Sequence, residues 1–251
     1  MTKYELLPSD KHGLYRIRAL RDFGDVRAGD IGGYIERETN LSHDGNAWVR
    51  DNAQVYGNAR VFGDARVFGD ARVFDNAQVF GEAQVFGNAQ VYDNARVYGN
   101  ARAFDYAQVY DNARVYGYAQ LYDYAWVFDN ARVYGDARVY CYAHVYGDAR
   151  VYGDARVHDH AWVCGNAQVH SGASLCWISD VGSENGTLTA FTAQTGITVT
   201  RGCFLGTLEE FEAVVRETYG DSRTAREYAL LIEFIRLRLE QRAMTHDQTN
   251  L

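Results

Sequence analysis

Residues 53–74 read AQVYGNARVFGDARVFGDARVF. One six-letter word is written over and over: Ala, Arg or Gln, Val, Tyr or Phe, Gly or Asp, Asn or Asp. Ala recurs at every sixth position from Ala47 to Ala173, 22 copies without an insertion. The first four letters alternate small apolar, polar, branched apolar and aromatic. Period two is the signature of a strand with Ala and Val on one face and Arg and Tyr on the other. The last two letters are turn formers that tolerate positive φ. Each unit is therefore expected to be a four-residue strand and a corner, with Ala and Val inside. A helix is excluded, because period six sends successive valines to different helix faces and Gly-Asn would interrupt every turn.

The departures from the consensus set the number of units per coil. Asp75-Asn76, Asp93-Asn94, Asp111-Asn112 and Asp129-Asn130 form one column; Gly63, Gly81, Gly99, Gly117, Gly135 and Gly153 form another; Tyr106, Tyr124, Tyr142 and His160 form a third. All recur at every third unit, so three strands make a coil. The expected body is a triangular prism of about seven coils, about 35 Å long at the usual strand spacing.

Units such as VYGNAR and VFGDAR resemble the hexapeptide-repeat family of left-handed parallel β-helices over residues 41–176. The handedness is implied by that resemblance alone, as is assembly into a homotrimer along the prism. The flanks LYRIRALRDFGDVRAGDIGGYIE and GCFLGTLEEFEAVVRETYGD resemble segments that bracket such repeats in uncharacterised phage and prophage proteins, which implies a phage-linked role. The fold class expected is mostly β. Residues 1–40 form an N-terminal β cap and 41–176 the β-helix. A β-hairpin follows at 177–206, then a two-helix segment at 207–243 and a loose tail at 244–251. In the hairpin, TLTAFTA pairs with GITVTRGCF. Thr207 and Glu210 form a capping box that opens the first helix, with Phe211, Val214 and Val215 on one face and Gly220 past its end. The second helix, from about Ser222 to Gln241, carries Tyr228, Leu231, Ile232, Ile235 and Leu239 as its apolar stripe. This C-terminal piece either seals the last coil or serves as a docking or oligomerisation module.

Composition narrows the function. The chain of 251 residues has a formal net charge of -8, which argues against general nucleic-acid binding. Lys3 and Lys11 are the only lysines; the other basic residues are arginines, which lie flat on rings. The polar start, MTKYELLPSDKHG, has no apolar core of signal-peptide length, and no run approaches a membrane span. The four cysteines show no CxxC spacing and read as free thiols in a reducing compartment. The expected location is the cytoplasm, that of the host cell if the protein is phage-encoded, with no membrane partner and no cofactor.

The aromatic position is Tyr or Phe in 17 consecutive units, Tyr56 to Tyr152, which predicts three ladders of rings. They stiffen the sheets, or they are buried against a partner. One edge of the prism is marked. Trp126, His144 and Trp162 share a column; Tyr124, Tyr142 and His160 sit at the preceding corner; Tyr122, Tyr140 and His158 come just before it. Such a patch is the candidate ligand-binding site, for a nucleotide-like ligand or a host protein, against the plainer reading of repeat drift and packing on the C-terminal cap. His158, His160, Cys164, His170 and Cys176 cluster in sequence but scatter over the prism, where only His158 and Cys176 share a column, so no metal site is expected.

Many hexapeptide-repeat proteins are acetyltransferases. His144 or His160 would be the base, yet no loop interrupts the 22 copies. Thr is absent from residues 41–186, which argues against an ice-binding surface. An Arg column (Arg60, Arg96, Arg114, Arg132, Arg150) flanks the Asp column and weakens DNA mimicry. The leading expectation is a non-enzymatic binding or scaffold protein, in the phage setting an antagonist of host defence. The alternatives are an acyltransferase and a purely structural or DNA-mimicking solenoid.

Overall fold

The computed structural model describes residues 2–170, 175–193 and 196–246. The repeat is a three-sided solenoid of parallel strands. One face runs from Gln54–Val55 to Trp162–Val163, the second from Trp48–Val49 to Arg156–Val157, and the third from Arg60–Val61 to Gln168–Val169. Every repeat strand pairs in parallel with the strand three units away, as in Arg96↔Arg114 and Val97↔Val115. The paired strands are two residues long, shorter than the four-residue alternation suggested, because the chain bends away immediately after each Val. Ala and Val are buried in every described unit from Ala47 to Val169, apart from Ala103 and Leu121 standing in for Val, and the Arg residues point outward.

The six-letter word encodes both the strand and the corner. The first corner residue has φ near +55 to +70°, filled by Gly or Asp and once by Cys141. Gly meets this without cost, and Asp is among the few side chains that visit the left-handed region. Asp also supplies an acceptor to the next coil: the Gly147 N–H donates to Asp129 Oδ2 at 3.0 Å, and the Gly69 N–H to Asp51 Oδ2 at 3.0 Å. At Gly135 a Cβ would lie 2.9 Å from the Gly153 nitrogen, so that corner has no room for a side chain without movement of the coil above. Most units donate three backbone N–H groups to the next coil, for example Arg60 to Ala77 O, Phe62 to Val79 O and Asp64 to Gly81 O, at 2.8 to 3.1 Å.

The interior is filled by identical layers with one compensated exception. Ala103 stands where Val is the rule, and the residue stacked beneath it is Leu121, also off consensus. Both are fully buried, so a deficit of volume in one coil is met by a surplus in the next.

The N-terminal segment forms β structure at the open end, as expected. Strands Tyr4–Leu7, Tyr15–Ala19 and Ile31–Ile35 pair antiparallel and extend the first face. The last of these also pairs in parallel with Gln54 and Val55, and Leu41 bridges Val61. Both pairs stand two positions further apart in sequence than the regular coils do, so residues 34–41 add two irregular sides of an eighth coil to the seven regular ones. Asn40 makes this possible. Its side chain is fully buried, accepts from the Arg37 N–H at 2.8 Å, and donates to Ala59 O at 2.9 Å and Gly57 O at 3.1 Å. Lys3 plugs the end: it is buried, donates to Ala47 O at 2.8 Å and lies over the Phe23 ring.

At the other end the expected hairpin is present, Leu188↔Arg201 to Ala193↔Gly196, as the middle of a four-stranded antiparallel sheet. Its outer strands are Leu175–Val181 and Phe204–Thr207. Alternation decides what each face touches. Leu175 and Phe191 join the prism core, while Cys176, Leu188, Ala190 and Val199 pack on the helices. Helix α1 spans Leu208–Tyr219, with the capping box between Thr207 and Glu210 in place and Gly220 after its end. Helix α2 spans Arg223–His246. Phe211 and Val215 of α1 are buried as expected, but Val214 is exposed, because it lies on the side of α1 away from the sheet. In α2, Tyr228, Ile232, Ile235 and Leu239 are buried and Leu231 is half-buried.

Candidate functional site

The aromatic position becomes three ladders, with in-register pairing placing ring on ring. Tyr56 to Tyr146 lie along the first face, Phe62 to Tyr152 along the third, and Phe68 to His158 along the second. Neighbouring rings within them are 4.7–5.2 Å apart and nearly parallel, as in Phe68–Phe86 at 4.7 Å and Tyr134–Tyr152 at 5.2 Å. The rings are half-buried, so the ladders cover the sheets as well as face solvent.

The marked edge assembles as three columns. Parallel pairing of Trp126↔His144 and His144↔Trp162 stacks them at 4.9 and 5.5 Å. At the corner, Tyr124 stacks on Tyr142 at 5.0 Å and Tyr142 on His160 at 5.2 Å. Tyr122, Tyr140 and His158 continue the second-face ladder at 4.9 and 5.0 Å. Tyr124, Tyr142 and Trp162 are 43%, 51% and 39% exposed. Two ring residues beyond the expected nine belong here. Tyr106 stacks above Tyr124 at 4.9 Å, and its place in the corner column was the signal for it. Trp177 meets His158 edge-on at 4.5 Å; it lies outside the repeat, and no periodicity points to it.

The lower part of the edge is fastened to the cap. The Trp162 backbone N–H donates to Thr189 Oγ1 and the Thr200 hydroxyl to the Trp162 carbonyl oxygen, both at 3.1 Å. His158 Nδ1 lies 2.9 Å from Asp159 Oδ2. The cap thus holds the Trp162 backbone and sets Trp177 against His158, while the Trp162 side chain stays exposed.

Spacing limits what the columns can hold. A planar ligand between two rings needs roughly 7 Å, two contacts of about 3.5 Å. The rings here are 4.9–5.5 Å apart on a rigid hydrogen-bonded ladder. Ring faces inside a column are covered by their neighbours, and the surface offers ring edges and the furrows between columns.

His144 titrates below the ordinary histidine value, because burial between two indoles disfavours its charge and His160 adds repulsion. Among the described residues no hydrogen bond orients its ring, whereas a general base is normally held by a partner. His158, Cys164 and His170 end strands of three different faces. Cys176 does not continue the His158 column, because the chain has already turned into the antiparallel sheet and buries Cys176 against the helices. Among the described residues no three His, Cys, Asp or Glu side chains converge. All four cysteines are unpaired, and burial raises the thiol pKa of Cys164 and Cys176. No helix among the described residues is long and apolar enough to cross a membrane.

The family model of the YdcK β-solenoid repeat matches residues 53–67, 89–103, 107–123, 131–147 and 143–159. A protein of Escherichia coli strain K12 named "Uncharacterized acetyltransferase YdcK" is 53% identical over 38 residues, 15% of this chain and 12% of that relative. The match thus spans about an eighth of the relative's length. With parallel strands in register at every third unit and these matching stretches, the chain is a hexapeptide-repeat-like β-helix protein, similar over part of its prism to the YdcK solenoid repeat.

Proposed function

We propose that this protein is a non-enzymatic binding scaffold that docks a protein partner along the aromatic edge of its C-terminal coils. The observation that carries the reading is the corner column Tyr124–Tyr142–His160, stacked and exposed, with a further stacked column on either side. Tyr and Trp are the residues that most often anchor protein interfaces. A rigid row of ring edges suits the surface of a protein better than a nucleobase, since no ring pair opens wide enough for one. In the phage-linked setting that the flanks imply, the partner is a host defence protein that the edge blocks.

The test is photo-crosslinking in producing cells, with a photoreactive phenylalanine at position 142 and, as control, at position 98 on the third face. The expected result is a protein adduct at 142 that is absent at 98 and lost in Trp126→Ala/Trp162→Ala. Identical adducts at both positions, or none at 142, refute the edge as a docking strip.

A second reading rests on the relative's name, an acetyltransferase. It requires acetyl-CoA turnover that disappears in His144→Ala or His160→Ala. No turnover on any acceptor retires it.

A further inference from the structure

Helix α2 is apolar on two opposite sides. Tyr228, Ile232, Ile235 and Leu239 are buried against the antiparallel sheet and α1. Leu230, Phe234 and Leu237 are 68%, 47% and 63% exposed. At about 100° per residue the second set points roughly 160° away from the first. Its spacing of four then three residues is that of a coiled-coil seam, and the same spacing reaches Gln241 and Met244 in the sequence. A helix that only sealed the prism would need one apolar stripe, so the outer stripe is unexplained by the cap.

The flanks of the seam say what covers it. Glu233 lies on one side and Arg238, five residues later, on the other; both are exposed, and neither forms an ion pair within the described residues. In a parallel pair of identical helices, the residue in the Glu233 position faces the partner's residue five places on, so Glu233 of each copy meets Arg238 of the other. In an antiparallel pair the same positions face their like-charged equivalents. We propose that the outer face of α2 is a self-association surface, and that its occupant is a second copy of this chain, packed with its α2 parallel. The seam buries three described side chains per copy, so the assembly is concentration-dependent rather than permanent. This surface lies on the cap, not on the aromatic edge, and stands whether or not that edge docks a partner.

The test is sedimentation velocity on the full chain from low to high micromolar concentration. The wild type is expected to shift from monomer to a heavier species. Leu230→Glu/Leu237→Glu, with an unchanged circular dichroism spectrum, is expected to weaken that shift at least tenfold. Glu233→Arg alone is expected to weaken it several-fold, and Glu233→Arg/Arg238→Glu to restore it. A wild type that stays monomeric throughout overturns the proposal. An assembly untouched by the Leu230 and Leu237 changes also overturns it, and places the contact on the prism faces instead. Failure of the charge swap to restore association overturns the parallel arrangement.

Discussion

The pairing of Ala103 with Leu121 gives the sharpest test of how the prism is packed. The two residues stack directly in consecutive coils of the second face, fully buried, where Val is otherwise the rule. Leu121→Val deletes one methylene beside a residue that is already too small. The lost transfer energy is about 0.8 kcal/mol, and the residual void brings the cost to about 1–1.5 kcal/mol. Ala103→Val adds two carbons against an intact Leu121 and is expected to cost about 1–3 kcal/mol through overpacking. The double substitution restores the consensus in both coils and should return to within about 0.5 kcal/mol of wild type, a coupling of about 2 kcal/mol or more. Urea unfolding followed by circular dichroism, with midpoints compared across the four proteins, measures this cycle. One probe must be used throughout, because a solenoid can unfold in parts. If the double variant loses the sum of the single losses, the layers do not share volume between coils, and the interlayer packing argument is wrong.

Three further outcomes follow from the corners and the buried ionisable groups. Gly135→Ala places a Cβ at a φ of 70° and 2.9 Å from the Gly153 nitrogen, and should cost about 2 kcal/mol or more in thermal unfolding; Asp129→Gly keeps a residue that accepts the φ of 55° while removing the acceptor for the Gly147 N–H, and should cost about 1 kcal/mol. The pKa of His144 is lowered from 6.5, so the unfolded chain binds a proton that the folded chain resists; stability from this group is complete above pH 6.5 and falls as pH drops below it, and His144→Gln should lose less stability than wild type between about pH 7 and 5.5. Lys3 is pushed down to about 8 by burial first and the Arg21 charge second, so folding gains stability as pH rises from about 8 to 10.5. Lys3→Met should flatten that rise, and an equal rise in both proteins would mean that Lys3 keeps its ordinary proton affinity.

Much of the candidate site was legible because the repeat is a ruler. Once every third unit falls on the same face, Trp126, His144 and Trp162 must stack, and so must Tyr124, Tyr142 and His160. The same ruler failed where the chain leaves it. Cys176 keeps the spacing of the His158 column yet sits in another sheet, because pairing with Gly186–Ala193 turns the strand that carries it around. Trp177 reaches His158 through that turn, and no sequence period could announce it. The usual strand spacing, by contrast, fixes how far apart in-register rings stand, which is what limits their ligands.

The sequence by itself determined the prism: two-residue alternation chooses the buried face, a Gly or Asp that accepts positive φ makes each corner, and identical layers stack because each offers the next the same slots. Those are local rules, repeated unit after unit, and they hold without knowledge of any distant residue. Only the tertiary structure decided the ends. The two sides of the eighth coil exist because the Asn40 side chain satisfies carbonyls 17 and 19 residues away, and the near end is closed by Lys3 on a carbonyl 44 residues away. At the far end, one helix can carry two apolar stripes in its sequence, but which of them is buried is settled by the sheet that packs against it.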